Sequence, residues 1–133
     1  MIHIGIIGAG GISESHANGY LQLSDQVKIV AVADLDHKRA QSAADRWGAI
    51  HAFSDYRKML ELDQIDAVSV CTFTKAHCQP SIDALESGKH VLVEKPMAAT
   101  SEEAIRMVQA SQKNDKILMV GMKWRFMPEI LAA

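Results

Sequence analysis

Cysteine, proline and aromatic residues are scarce here: two, three and 5% of 133 residues. Cys71 and Cys78 form no CxxC pair, so the sequence offers neither a disulfide framework nor a cysteine zinc site. Both read as small buried hydrophobes of a reduced, intracellular protein. No excess of basic charge is present, with 14 Lys and Arg against 16 Asp and Glu and a formal net charge of -2. That balance argues against nucleic acid or an anionic membrane as partner. No run of 18 apolar residues exists to span a bilayer. The start, Met1-Ile2-His3-Ile4-Gly5, lacks the charged region and cleavage site of a secretory signal, so a cytoplasmic location is expected. The six histidines show no HxxxH or HxH pairing, and no metal is expected. Repeats, low-complexity tracts and linkers are also missing. What remains is an ordinary globular balance of 48% hydrophobic and 23% charged residues, of a length that suits one domain.

Apolar runs alternate with helically periodic stretches along the chain. Ile2 to Ile7, Val27 to Ala33, Ala49 to Phe53, Ala67 to Thr72, His90 to Val93 and Ile117 to Val120 read as strands. Between them, Ile12 to Leu23, Lys38 to Trp47, Asp55 to Leu62, Lys75 to Ser87 and Thr100 to Asn114 read as helices. Ala40, Ala43, Ala44 and Trp47 share one helical face at i, i+3, i+4 and i+7. Ser54 is expected to cap the third helix, Gly48 and Gly88 to end two others, and Thr100 with Glu103 to form a capping box. Such alternation predicts an α/β fold of three layers, a doubly wound and mostly parallel sheet of Rossmann type covered on both faces. Ligands then bind beyond the carboxyl ends of the strands. Functional residues are therefore expected from Gly8 onward, at Asp34, in Thr72 to His77, in Glu94 to Pro96, and from Gly121.

The strongest local pattern is Ile4-Gly5-Ile6-Ile7-Gly8-Ala9-Gly10-Gly11-Ile12-Ser13, a strand, a glycine turn and a helix start. A pyrophosphate needs bare backbone N–H groups and the positive end of a helix dipole. Gly8 permits the tight turn, while Gly10, with Gly11 and Ile12 opening the helix, lets the backbone approach the phosphates. Ser13 stands where the full fingerprint has a third glycine. Asp34 closes the second strand, 21 positions after Ser13. Its carboxylate can accept hydrogen bonds from both hydroxyls of an adenine ribose and would repel a 2′-phosphate, so NAD is favoured over NADP. Lys38 and Arg39 lie nearby and could serve a 2′-phosphate, but they read more simply as solvated charges of a first helical turn.

These residues resemble the N-terminal domain of the Gfo/Idh/MocA oxidoreductases, the family of glucose-fructose oxidoreductase and inositol dehydrogenase. The resemblance rests on Gly5 to Ile12, on Ala31-Val32-Ala33-Asp34, on Ala84 to Pro96 with its Glu94-Lys95-Pro96, and on Val120 to Phe126. It implies hydride transfer between a nicotinamide and a CH–OH carbon of a sugar or polyol. Lys95 takes the catalytic lysine position and also lies against the cofactor. Glu94 is placed at the nicotinamide ribose, and Pro96 matches a proline that often follows a cis bond. Thr72 and His77 match a cofactor-lining Thr-Pro-x-x-x-His segment in which Phe73 replaces proline. Arg125 matches an arginine near the mouth of the substrate site. The resemblance divides the chain into a cofactor domain, residues 1–121, and the start of a connection, 122–133, to an α+β second domain that these residues do not include. A fragment of this kind is expected to be inactive alone, and a non-catalytic NAD-binding or sensing module is the alternative. Trp124, Phe126, Met127, Ile130 and Leu131 form an apolar segment expected to pair with a second copy of the chain.

Overall fold

A computed structural model describes residues 1–131, the side chain of Glu129 excepted; Ala132 and Ala133, the end of the expected connection, lie outside the described residues. Six strands build the sheet: β1 (Ile2–Ile7), β2 (Val27–Ala33), β3 (His51–Phe53), β4 (Ala67–Val70), β5 (His90–Val93) and β6 (Leu118–Val120). Every pairing is parallel, and the order is β3-β2-β1-β4-β5-β6. The chain moves outward from β1 to β3, then returns to lay β4 on the other side of β1. That reversal opens a crevice at the carboxyl ends of β1 and β4, where such sheets bind ligands.

Six α-helices complete the described chain: α1 (Gly11–Leu21), α2 (His37–Trp47), α3 (Tyr56–Leu60), α4 (Cys78–Glu86), α5 (Ser101–Asn114) and α6 (Pro128–Leu131). Alternation along the strands divides the core between two faces. Ile4, Ile6, Ile29 and Val32 pack on Ala17 of α1 and on Ala40, Ala43, Ala44 and Trp47 of α2. On the opposite face Ile7, Val68, Val70, Val91 and Val93 meet Met59, Leu85 and Met107 of α3, α4 and α5. The β1–β2 register shifts between Ile4 and Gly5, so that Val30 is the extra residue. Such a bulge lets neighbouring residues share a face, and Val30 and Ala31 indeed join the same core cluster.

Three local expectations are corrected. Asp55, not Ser54, caps α3, its carboxylate accepting from the Arg57 N–H at 2.9 Å. The helix starts one residue later than the composition suggests, and there a charged acceptor faces its positive end. The continuous helix expected from Lys75 is instead a 3₁₀ turn (Thr74–Ala76) followed by α4. Pro80 explains the break, because in an unbroken α-helix its ring would strike the carbonyl four residues back, at Ala76. Within α1, where Ile12, Ala17, Tyr20 and Leu21 recur at roughly helical spacing and suggest one apolar face, Ile12 and Leu21 are instead both 44% exposed, and the inward stripe is Ser13, His16, Ala17 and Tyr20. The box at α5 does form. Thr100 Oγ1 accepts from the Glu103 N–H at 3.2 Å, and the Glu103 carboxylate accepts from the Ala99 N–H at 3.0 Å.

Candidate functional site

The glycine turn joins β1 to α1 at the crevice. Gly8 adopts φ +92°, and a Cβ there would lie 2.9 Å from the Cys71 carbonyl oxygen. This residue therefore serves the fold, letting the end of β1 lie on the backbone that follows β4. Gly10 differs: it caps α1 in ordinary extended geometry, φ -84°, and neither Gly10 nor Gly11 would put a Cβ within 4 Å of any atom. Their bareness matters to whatever approaches from outside. No side chain satisfies the first N–H groups of α1, which leaves an anion-seeking end. Ser13 fits the third-glycine position because it is wholly buried and its hydroxyl donates to the Gly10 carbonyl at 2.5 Å.

Asp34 sits at the end of β2 and already holds the turn. One carboxylate oxygen accepts from the Ala9 N–H and the other from the Asp36 N–H, each at 2.9 Å. Each oxygen retains a second lone pair, so two adenine-ribose hydroxyls can still be received. Capping of α2 falls to Asp36, which accepts from the Lys38 N–H at 3.0 Å; Asp34 is thereby free for ligand. Gly8, Gly10, Gly11, Ile12, Asp34 and Thr72 together line a cleft of about 570 Å³. Arg39 lines it too, half-exposed and 4.0 Å from the Asp34 carboxylate, whereas Lys38 does not. Cys71 forms part of the wall, and burial, aided by Glu94, pushes its thiol up to about 12.

Beyond β4, Thr72 turns its hydroxyl inward to donate to the Ala76 carbonyl at 2.9 Å, and Phe73 stands 87% exposed. His77 lies behind the cleft wall, 1% exposed. Its Nδ1 is 2.9 Å from the Pro96 carbonyl oxygen and its Nε2 is 2.9 Å from that of Thr72. With both ring nitrogens turned to backbone, His77 presents no polar atom to a cofactor; it braces the loop after β4 against the loop after β5.

That second loop carries Glu94 and Lys95, with a cis Lys95–Pro96 bond. Lys95 is exposed, and its backbone N–H donates to the Glu94 carboxylate at 3.1 Å. Sequence reasoning missed what holds the other carboxylate oxygen: Nε2 of His16, on α1, at 2.9 Å. His16 Nδ1 in turn lies 3.3 Å from the Ser69 hydroxyl, which is 2.6 Å from that of Tyr20. The visible signal was a polar pair, His16 and Tyr20, in the buried stripe of α1, facing a serine inside the apolar β4. Arg125 lies in a second 3₁₀ turn (Lys123–Phe126), exposed and outside the cleft. Trp124 and Phe126 are each 61% exposed, and Ile130 and Leu131 are 53% and 70% exposed. Among the described residues no three His, Cys, Asp or Glu side chains converge to hold a metal ion.

A family model described as an oxidoreductase family with an NAD-binding Rossmann fold, Gfo/Idh/MocA, matches residues 2–122. The chain belongs to this family. Its six-stranded parallel sheet is thus the NAD-binding Rossmann fold of that family. The chain is 35% identical over 127 residues to the 4-carboxy-2-hydroxymuconate-6-semialdehyde dehydrogenase of a Sphingobium strain, covering 96% of this chain and 40% of that protein. It is 32% identical to the myo-inositol 2-dehydrogenase of Thermotoga maritima, covering 94% of this chain and 37% of the relative. A solved myo-inositol dehydrogenase from Lactobacillus casei, in complex with NAD(H) and myo-inositol, superposes with a TM-score of 0.91 at 30% identity. It covers 99% of this chain, which spans 40% of that one. The chain therefore spans about two-fifths of the length of the family members it matches.

Proposed function

We propose that residues 1–121 bind NAD and form the cofactor half of an oxidoreductase acting on a CH–OH group of a sugar or polyol. Residues 122–133 would begin its connection to a substrate domain. The observation that carries this reading is that Asp34, with an acceptor site left on each oxygen, lines one cleft with the bare helix start at Gly10 and Gly11. NAD bound there supplies a hydride acceptor. Asp34 takes the adenine ribose, Gly10, Gly11 and Ile12 offer backbone to the pyrophosphate, and the Thr72 segment covers the cofactor's middle. Glu94 receives the nicotinamide ribose.

Oxidising an alcohol requires the hydroxyl proton to leave as the hydride departs. Lys95, in the loop after β5, is the group that shares this proton and orients the substrate oxygen. Arg125 stands toward the substrate side. Absence of any cysteine pairing, with Cys71 and Cys78 both free, suits a cytoplasmic protein. The apolar segment from Trp124 to Leu131 supports pairing between copies, and light scattering that finds a monomer at high micromolar concentration overturns that part.

Calorimetric titration with NAD, with NADP and after Asp34→Ala tests the cofactor reading. Micromolar to submillimolar NAD affinity, lost in the variant, is expected; binding of neither dinucleotide overturns it. A non-catalytic NAD-binding module is the second reading, favoured by the open position of Lys95. Sustained NADH production when sugars, inositols or sugar acids are added to the chain removes that alternative.

A further inference from the structure

His16, Ser69 and Tyr20 are absent from the cofactor cleft and from the family resemblance, yet they converge on Glu94. The convergence is buried. The His16 side chain is 9% exposed, that of Glu94 14%, and Ser69 is fully covered. A carboxylate can only accept, so His16 Nε2 carries the hydrogen it shares with Glu94. In a neutral ring Nδ1 is then an acceptor, and the hydrogen it takes is that of the Ser69 hydroxyl. Ser69 Oγ accepts in its turn from Tyr20. All three hydrogens run one way, from Tyr20 to Ser69 to His16 to Glu94, and each finds one acceptor. Burial pushes the Tyr20 hydroxyl up, keeping it a donor.

Gly121 leaves room beside the same carboxylate. A Cβ on Gly121 would lie 3.1 Å from the same Glu94 oxygen that His16 holds, while the Lys95 N–H holds the other. We propose that His16 is a positioning residue. Its Nε2–H tautomer, set by the acceptor-only Glu94 carboxylate and accommodated by Ser69 and Tyr20, holds that carboxylate in one orientation so that its remaining lone pairs meet the hydroxyls of the nicotinamide ribose. The proposal rests on the NAD reading above. It adds that α1 serves two parts of the dinucleotide: its first turn meets the central pyrophosphate, and His16, more than a turn later, sets the receptor for the nicotinamide ribose.

Two measurements test it. Ring ¹⁵N–¹H correlation spectra of the whole chain should show His16 as a single Nε2–H tautomer, and Glu94→Gln, whose amide can donate as well as accept, should turn it into a mixture. An Nδ1–H ring, or a mixture already in the wild type, overturns the relay whatever binds. The second compares titrations with NAD and with ADP, which carries the adenosine and pyrophosphate but no second ribose. Loss of a hydrogen bond to a charged group predicts that His16→Leu weakens NAD by roughly 10-fold or more while ADP stays within about twofold. His16→Gln, which keeps a donor toward Glu94, should recover most of that loss. Equal weakening of NAD and ADP, or NAD affinity untouched by His16→Leu, refutes the positioning role. A wild-type chain that binds neither ligand refutes the NAD reading and the ribose role with it, and the spectra still decide the relay.

Discussion

Gly8 and Gly10 lie two residues apart in one turn, and the structure separates their duties into effects of opposite kind. At Gly8, alanine must adopt φ +92° and set its Cβ 2.9 Å from the Cys71 carbonyl oxygen and 3.1 Å from the Thr72 nitrogen. Both obstacles are backbone, so no side-chain rotation relieves them. A sparsely populated backbone conformation costs roughly 1–3 kcal/mol, and forced overpacking costs roughly another 1–3. Gly8→Ala is thus expected to destabilise the fold by about 2–6 kcal/mol. At Gly10 the backbone is ordinary and the Cβ meets nothing. Stability should hold or rise by up to about 1 kcal/mol, because alanine restricts the unfolded chain. The new methyl instead occupies the space where a pyrophosphate must approach, and losing one charged hydrogen bond weakens NAD roughly 10- to 150-fold. Urea unfolding of both variants, followed by NAD titration of Gly10→Ala, is the assay. A Gly8→Ala loss below 1 kcal/mol, or a Gly10→Ala variant that binds NAD normally, refutes the reasoning.

Three further outcomes are expected. Cys71, its thiol held up to about 12 by burial, and Cys78, likewise raised and buried, should resist alkylation at pH 8 in the native chain and react fully in denaturant; rapid native labelling contradicts the placement of both. His77→Leu removes the brace between the loops after β4 and β5. It should cost about 2–5 kcal/mol and raise amide exchange in both loops together, so protection lost in only one would contradict a shared brace. Glu14 is held below the usual carboxyl range, first by the Trp47 indole N–H and then by Arg46. Its contribution, under about 1 kcal/mol for so open a pair, is present at pH values above the ordinary glutamate range and vanishes as pH falls through the depressed folded value. Unfolding free energies of the wild type and Glu14→Gln should therefore converge in acid, and a gap that widens there contradicts the assignment.

The parallel sheet was legible because its strands are buried on both faces and read as unbroken apolar runs, and the glycine turn because three glycines within four residues follow a strand and open a helix. Asp34 was legible from its position at the end of β2. The bulge at Val30 was not, since the run from Val27 to Ala33 looks the same with or without one extra residue. His77 was read toward the cofactor because its neighbours are; only the loop after β5, distant in sequence, reveals that its ring is already occupied. Nor could spacing disclose the His16 cluster, whose members come from α1, β4 and the loop after β5 and meet only in the folded chain.

In the NAD reading proposed above, Asp34 is at once a receptor for ribose and the acceptor that pins the Ala9 N–H of the turn. A redesign toward NADP would remove this carboxylate to admit a phosphate beside Arg39, and the same exchange would strip the turn of its anchor. Cofactor preference and turn integrity are thus one trait in this chain. Changing the first requires a second substitution that gives the Ala9 N–H a new, uncharged acceptor.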